Sequence, residues 1–298
     1  MGKYLEIRER LKSGPKRTVA IAAAADVEVI EAASTMLAEG FVEPILVGDA
    51  ERIYTLLDNA GHRRATAPRV IDEPDDAAAA SRAARLVRDG EADVLMKGLV
   101  NTSDFLRAVL DRENGIRGEG ILSHMAAFDT PGYPRLIIQT DGGMNPYPTL
   151  EEKVKILKNA VEALHKLGIE CPKVAALSAN ELVNPKVPSS VDADALARKN
   201  ADGEITGCLV EGPIALDVAL YAEAAKHKKI ESRIAGETDL FLMPNIDAGN
   251  IMGKTLICCA DGKMAGVVLG AKAPIVLVSR SDNAESKLNS LALACALI

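Results

Sequence analysis

A chain of 298 residues is long enough to form two lobes with separate hydrophobic cores, and two lobes are the arrangement that we predict. The 35 Lys and Arg residues against 42 Asp and Glu residues give a net charge of −7, and the longest basic run covers only residues 226–229, so nucleic acid is excluded as an expected partner. Residues 1–16 carry mixed charge without a signal-peptide core, and no apolar stretch is long enough to span a membrane, which indicates a soluble cytoplasmic protein.

Short apolar runs alternate with longer segments of helical period, which is the pattern of βα units that feed a largely parallel sheet. In the first unit, residues 19–23 form a predicted buried strand, Asp26 begins a helix, and Gly40 ends it. Residues 44–47 begin the second unit. Further strands are predicted at residues 94–96, 136–139, 174–177, 208–211, 240–243, 264–269 and 275–279. The sequence therefore predicts a fold of the α/β class.

The clearest helix begins at Thr149. Thr149 and Glu152 form a capping-box pattern, in which each side chain accepts a hydrogen bond from the backbone of the other. Val154, Leu157 and Val161 then recur at helical spacing and supply an apolar stripe for packing.

Polar residues that a fold alone does not require follow four of the predicted strands. They lie in residues 97–104, 141–147, 244–254 and 279–285. Because ligands of open α/β sheets collect beyond the carboxyl ends of the strands, we expect these segments to contribute to a binding site.

The first segment suits an anion. Free N–H groups at a helix start, together with Lys97, Asn101 and Thr102, could hold a phosphate or carboxylate. Alternatively, Thr102 or Ser103 caps the helix and Lys97 is solvated.

The second and third segments combine flexible backbone with amides and carboxylates. In residues 141–147, two glycines permit close approach of a ligand, although Asp-Gly-Gly and Asn-Pro are also ordinary turn sequences. In residues 244–254, Asn245 and Asn250 could bind substrate, or Asp247 could cap a helix while the asparagines satisfy buried backbone groups.

The fourth segment is the most enzyme-like. Arg280 matches the geometry of a phosphate, and the hydroxyl of Ser279 can donate to an oxygen that gains charge during acyl transfer. The alternative is a surface ion pair of Arg280 with Asp282 or Glu285.

The sequence lacks the motifs of several other types of enzyme and binding site. The four histidines are not accompanied by a nucleophile in an elbow sequence, no Walker loop or G-x-G-x-x-G follows the first strand, and no metal-ligand spacing is present. The five cysteines lack both the C-x-x-C spacing of zinc sites and the density of a disulfide scaffold, so we expect reduced thiols that act mainly as small buried side chains.

The same segments, in this order, resemble the phosphate acetyltransferase and phosphate butyryltransferase family. Residues 244–250 resemble its asparagine-aspartate signature, residues 279–280 its serine-arginine pair, and residues 141–148 its central aspartate loop. Glu211, Gly212 and Asp217 precede the signature in the order that the family shows, and the resemblance extends from about residue 92 to the C-terminus.

Two features favour the butyryl branch of the family. Residues 97–104 are similar to the version found there, and the N-terminal lobe is too short for the arginine and lysine segment of acetyl-specific relatives. One position departs from the acetyl enzymes, because the acidic residue that they place seven positions after the serine is Ser286 here. Asp282 or Glu285 could then act as the general base.

The resemblance implies a two-lobed α/β/α architecture like that of isocitrate and isopropylmalate dehydrogenases. We expect residues 1–122 and 270–298 in one lobe, residues 123–269 in the other, and the active site in the cleft between them. It also implies a homodimer or higher homo-oligomer, acyl-CoA and inorganic phosphate as substrates, and no cofactor beyond coenzyme A as a substrate.

The implied reaction is direct transfer of a butyryl or branched-chain acyl group between coenzyme A and phosphate. Arg280 and, from its family-matched position, Arg107 would hold the phosphate, while Ser279 would donate to the carbonyl oxygen or thiol. The substrate-binding residues would be Lys97, Asn101, Thr102, Asp141, Gly143, Asn145, Asn245, Asp247, Asn250 and Lys254. Alternatives are a phosphate acetyltransferase, a metal-dependent dehydrogenase of the same fold, and a non-catalytic protein that binds coenzyme A or phosphate.

Overall fold

The computed structural model describes residues 3–63, 67–277 and 284–298. Its helices are α1 (Lys3–Lys12), α2 (Val27–Glu39), α3 (Ala50–Asn59), α4 (Asp76–Arg88), α5 (Thr102–Leu110), α6 (Leu150–Lys166), α7 (Pro188–Ala201), α8 (Leu216–Leu220), α9 (Ala222–Lys228), α10 (Ile246–Cys259) and α11 (Ala284–Cys295). Its strands are β1 (Arg17–Ala22), β2 (Val42–Gly48), β3 (Arg69–Asp72), β4 (Val94–Lys97), β5 (Ser123–Asp129), β6 (Ile137–Thr140), β7 (Lys173–Leu177), β8 (Leu209–Ile214), β9 (Leu240–Leu242), β10 (Lys263–Leu269) and β11 (Ile275–Val276).

The chain forms two compact units. Unit 1 contains Met1–Gly120 and Met264–Ile298, and unit 2 contains Ile121–Lys263. Both units alternate helices with mostly parallel strands, which confirms the predicted α/β class. None of the helices described in either unit has the length and apolar character needed to cross a membrane.

In unit 1, the strands lie in the order β3-β2-β1-β4-β11-β10. All neighbours are parallel except β10 and β11. The inner strands are buried, and α4 packs on β1 through a row of buried alanines, whose small side chains let the helix lie close to the sheet. Asp26 caps α2 by accepting the N–H of Val29 at 3.1 Å, and Gly40 ends α2 in the left-handed region with φ of 79°, as the sequence predicts.

In unit 2, the strands lie in the order β5-β6-β9-β7-β8. β5 runs antiparallel to β6, and the remaining neighbours are parallel. The capping box of α6 is formed as predicted: the backbone N–H of Glu152 donates to Thr149 Oγ1 at 3.3 Å, and the N–H of Thr149 donates to Glu152 Oε2 at 2.8 Å. Because the carboxyl ends of β6 and β9 are neighbours, the segments that follow them share one edge of the sheet.

The thiols differ in part from the expectation. All five cysteines are free, but only Cys208 and Cys295 are buried, and burial raises the pKa of these thiols to about 11 and about 12. Cys171, Cys258 and Cys259 are exposed, so the expectation of small buried side chains is wrong for these three. Cys171 lies in the loop between α6 and β7, and Cys258 and Cys259 lie at the end of α10, where the residues that the structure describes leave the thiols accessible.

Candidate functional site

The predicted segments of unit 2 meet at the carboxyl edge of β6 and β9. Thr140 pairs with Leu242 at the ends of these strands, so the turn that begins at Asp141 lies beside the turn that leads to Asn245. The N–H of Ile246 donates to the carbonyl of Pro146 at 2.9 Å and joins the two turns directly. The structure therefore brings the second and third predicted segments together.

The carboxylate of Asp141 organises the first of these turns. It is buried, and its Oδ1 accepts the backbone N–H groups of Gly143 and Met144, each at 2.8 Å. Its Oδ2 accepts the N–H of His124 at 3.1 Å and the side-chain amide of Asn145 at 2.6 Å. Four donors occupy both oxygens, so these contacts hold the shape of the loop and leave the backbone of the glycine turn to face a ligand.

Asn145 extends the same network. Its side-chain nitrogen donates to the carbonyl of Leu122 at 2.9 Å as well as to Asp141, and so fixes the chain just before β5. Gly143 is exposed, in contrast to its buried neighbours Asp141 and Gly142. Asp141 and Asn145 thus hold the turn in place while Gly143 is accessible.

The second turn begins α10. Asn245 is the N-cap residue, and its side-chain oxygen accepts the N–H of Ala248 at 3.0 Å. Asp247 lies exposed in the first turn of the helix and accepts a hydrogen bond from the hydroxyl of Tyr147, an interaction that raises the pKa of this tyrosine. Of the residues predicted further along α10, Asn250 and Lys254 lie one turn apart and are exposed.

Two glycines allow α10 to approach the Asp141 turn. A Cβ atom on Gly249 would lie 2.6 Å from the Cα of Gly142, and one on Gly142 would lie 3.0 Å from the carbonyl carbon of Gly249. The buried amide of Gln139 donates to the carbonyl of Gly249 at 2.9 Å and fixes this contact. The N-terminus of α10, where backbone N–H groups lack helical partners, therefore lies against the turn.

His124 belongs to this cluster and was missed by the sequence reasoning. It lies in β5, a strand that was not predicted, although Gly120 precedes it and Pro131 follows it, because its apolar run covers only residues 125–128. Its carbonyl accepts the hydroxyl of Thr140 at 2.9 Å, and a Cβ on Gly143 would lie 3.0 Å from its ring nitrogen Nδ1. β5 pairs with β6 in antiparallel orientation, and nothing in the sequence around His124 indicates that this pairing brings it beside Gly143.

In unit 1, the first predicted segment follows β4. Lys97 ends this strand, is 3% exposed, and donates from Nζ to the carbonyl of Gly98 at 3.2 Å. Gly98 packs so closely on β1 that a Cβ would lie 2.4 Å from the carbonyl oxygen of Ala23. The alternative of a solvated Lys97 is therefore wrong, because this lysine is buried at the strand end inside unit 1.

The N-terminus of α5 is capped by Asn101, not by Thr102 or Ser103. The Asn101 oxygen accepts the N–H of Asp104 at 2.9 Å and the hydroxyl of Ser103 at 2.7 Å. Thr102 is the first residue of the helix and is exposed. The side chain of Arg107 is 75% exposed and pairs with Asp104 at 2.5 Å, one helical turn away.

The fourth predicted segment is only partly described. β11 is parallel to β4, with Val276 opposite Met96, so it points its carboxyl end toward the same edge of unit 1 as the Lys97 turn. Ser279, Arg280 and Asp282 lie outside the described residues. Glu285 is exposed in the first turn of α11.

The acidic residues that precede the signature have structural partners. Glu211 accepts hydrogen bonds from the hydroxyl of Ser232 at 2.6 Å and from the N–H of Arg233 at 2.9 Å. Asp217 pairs with Lys228 at 3.0 Å, and this ion pair lowers the pKa of the carboxyl and raises that of the amine. Among the residues that the structure describes, no group of His, Cys, Asp and Glu side chains is arranged to hold a metal ion.

Comparisons with known proteins agree over nearly the whole chain. The family model described as "Phosphate acetyl/butaryl transferase" matches residues 50–295. The phosphate butyryltransferase of Clostridium acetobutylicum is 45% identical over 98% of this chain and 96% of its own length. The phosphate acetyltransferase of Thermotoga maritima is 39% identical over 98% of each chain.

A solved structure agrees in fold as well as in sequence. The branched-chain phosphotransacylase of Enterococcus faecalis V583 superposes with a TM-score of 0.85 at 34% identity, covering 94% of this chain and 98% of its own. The chain therefore belongs to the phosphate acetyl/butyryl transferase family.

Proposed function

We propose that this chain is a phosphate acyltransferase, which moves a short acyl group reversibly between coenzyme A and inorganic phosphate. The observation that carries the proposal is the similarity, over almost the full length of both chains, to a phosphate butyryltransferase. A butyryl or branched-chain acyl group is the preferred substrate, in keeping with this relative and with the branched-chain phosphotransacylase. An acetyl preference is the alternative, since a phosphate acetyltransferase is also similar over the full length.

The chemistry is direct transfer between two bound substrates. The sulfur of coenzyme A attacks the carbonyl carbon of the acyl phosphate, the carbon–oxygen bond to phosphate breaks, and phosphate leaves; in reverse, a phosphate oxygen attacks the thioester and the thiolate leaves. An ordinary thiol has a pKa of about 8.5, so a base or a positive field must favour the thiolate near neutral pH. Asp282 and Glu285 are the carboxylates that we assign to this task, and of the two the structure describes Glu285, which is exposed.

We assign the phosphate to the edge of unit 1. The N-terminus of α5 presents backbone N–H groups, the buried Lys97 contributes a charge at the neighbouring strand end, and the capping role of Asn101 sets the direction of the helix. The ion pair of Arg107 with Asp104 lies at the surface and is worth about 1 kcal/mol or less, so Arg107 can exchange Asp104 for a phosphate. Arg280 is the proposed second cation and Ser279 the proposed hydroxyl donor.

We assign coenzyme A and the acyl group to the edge of unit 2. Asp141 and Asn145 act there by shaping the turn around Gly143, and Asn245 by capping α10. Asp247, Asn250 and Lys254 are exposed on the same helix and available to a ligand. These roles stay predictions at the level of single residues.

Four further predictions from the sequence belong to this proposal. They are the two-lobed arrangement of isocitrate and isopropylmalate dehydrogenases, a homo-oligomeric state, a cytoplasmic location, and the use of no cofactor other than coenzyme A as a substrate.

One assay tests the function against its alternatives. Purified protein is mixed with butyryl-CoA, and free thiol is followed before and after addition of phosphate, with acetyl-CoA and isobutyryl-CoA compared at the same phosphate concentration. We expect phosphate-dependent thiol release that survives a chelator and needs no nicotinamide. A dehydrogenase would require both metal and nicotinamide, whereas a non-catalytic binding protein would release no thiol under any of these conditions.

A further inference from the structure

The ring of His124 is a polar group that neither the family motifs nor the predicted site explains. The residue is half-buried, and among the described residues its enclosed Nδ1 has no hydrogen-bond partner. Buried polar atoms without partners are rare and mark places where a ligand, an ion or a functional constraint is expected. The position of this ring therefore bears on what the site does.

The backbone of His124 is held firmly at the predicted site. Its N–H donates to Asp141 at 3.1 Å, and its carbonyl accepts from Thr140 at 2.9 Å. The preceding residue is fixed as well, since the side chain of Asn159 donates to the hydroxyl of Ser123 at 3.0 Å. The ring thus occupies a defined position beside the exposed Gly143, as a group used in catalysis requires.

Gly143 covers one edge of the ring. A Cβ built on this glycine would lie within 3.0 to 3.4 Å of the Nδ1, Cγ and Cβ atoms of His124. The enclosed edge is therefore the one that carries Nδ1. Nε2, on the other side of the ring, is not among the enclosed atoms without a partner in the described residues, which leaves it to contact a ligand.

The surroundings also determine the tautomer. Burial lowers the pKa of the His124 ring, an effect that the charge of Asp141 opposes in part, so the ring is neutral near pH 7. A neutral ring carries one N–H, and enclosing an N–H without an acceptor is less tolerable than enclosing a lone pair. We therefore assign the lone pair to Nδ1 and the proton to Nε2.

We propose that the Nε2–H of His124 donates a hydrogen bond to the carbonyl oxygen of the acyl group as that oxygen gains negative charge during transfer. This inference rests on the proposed acyl transfer, to which it adds a named donor. The proton stays on the ring throughout, so His124 is an electrophilic catalytic residue and not the base that deprotonates coenzyme A. Donors fixed in advance toward such an oxygen are among the largest contributors to acyl-transfer rates.

Two amide substitutions separate this role from the others. In His124→Gln, the side-chain amide reaches the position of Nε2 and keeps an N–H there, whereas in His124→Asn the shorter amide reaches only the position of Nδ1. Neither amide can act as a base. We expect His124→Asn and His124→Ala to lower kcat by about 100-fold or more with little change in KM, and His124→Gln to stay within about tenfold of the unsubstituted protein. His165→Gln is the control, since His165 is exposed and contacts the carbonyl of Gly207.

The kcat values of the three variants decide whether the proposal holds. Equal loss of kcat in His124→Gln and His124→Asn overturns the proposal, because it indicates a base or a packing role that no amide replaces. Full activity in all three variants overturns it as well. Urea midpoints of each variant show whether the fold is kept, and if His124→Ala does not fold, the comparison of the two amides decides alone. Absence of phosphate-dependent thiol release in the unsubstituted protein would instead refute the proposed function.

Discussion

Replacing Asp141 by Asn tests whether this carboxylate organises the turn. The substitution keeps the shape of the side chain, and its remaining oxygen can still accept the N–H groups of Gly143 and Met144. The new NH₂ group, however, faces the N–H of His124 and the amide of Asn145, which are both donors. Two hydrogen bonds to a charged acceptor are lost, at about 1.5 to 3 kcal/mol each, so we expect the free energy of unfolding to fall by about 3 to 6 kcal/mol.

Urea denaturation followed by far-UV circular dichroism measures this change. With a slope of about 2 kcal/mol per molar urea, the midpoint of the Asp141→Asn variant should fall by about 1.5 to 3 M. Asp247→Asn is the matched control, because Asp247 is exposed and accepts a hydrogen bond from the exposed Tyr147. The stability of this variant should change by about 1 kcal/mol or less. A midpoint shift of Asp141→Asn no larger than that of the control would refute the organising role.

Three further predictions concern packing, pH and capping. Gly249→Ala places a Cβ 2.6 Å from the backbone of Gly142, so it should destabilise the protein by about 1 to 3 kcal/mol and slow thiol release. Gly132→Ala is the control, because its Cβ would meet nothing within 4 Å, and it should have neither effect. Equal urea midpoints of the two variants would contradict the close contact. Burial lowers the pKa of His124, so the unfolded state binds a proton more readily than the folded state, and stability should be lost as pH falls below the ordinary pKa of about 6.5. The urea midpoints at pH 7.5 and 5.5 should therefore differ less in His124→Gln than in the unsubstituted protein. An equal difference in both proteins would exclude this ring as the cause. Asn101→Ala removes the cap of α5 and should cost about 1 kcal/mol in the same assay, with a rise in KM for phosphate; an unchanged KM would argue against the phosphate assignment.

Local signals in the sequence predicted much of the fold. The capping box of α6 depends on Thr149 and Glu152, which are three positions apart, and the start and stop of α2 depend on Asp26 and Gly40 in the same local way. The inner parallel strands were predicted because strands that are buried on both faces have continuous runs of apolar residues in the sequence. β3 was missed because it is short and only partly buried, so it has neither an apolar run nor a clear alternation.

The sequence predicted which segments form the candidate site, but not which residues of these segments contact one another. Strand ends indicated where Asp141 and Asn245 lie, since parallel strands deliver the residues that follow them to one edge. The approach of Gly249 to Gly142, and of Gly143 to His124, depends on residues far apart in the sequence. No local sequence pattern indicates such contacts. In the sequence, a glycine that allows two segments to pack closely cannot be distinguished from a glycine that allows a turn.

The most direct test of acyl transfer measures both products in one reaction. Butyryl-CoA and phosphate are incubated with the protein, free thiol is titrated, and acyl phosphate is trapped with hydroxylamine and counted as the hydroxamate. We predict one hydroxamate for each thiol released, and no thiol when phosphate is omitted. Thiol release that continues without phosphate, or without matching hydroxamate, would identify a hydrolase and contradict the assignment.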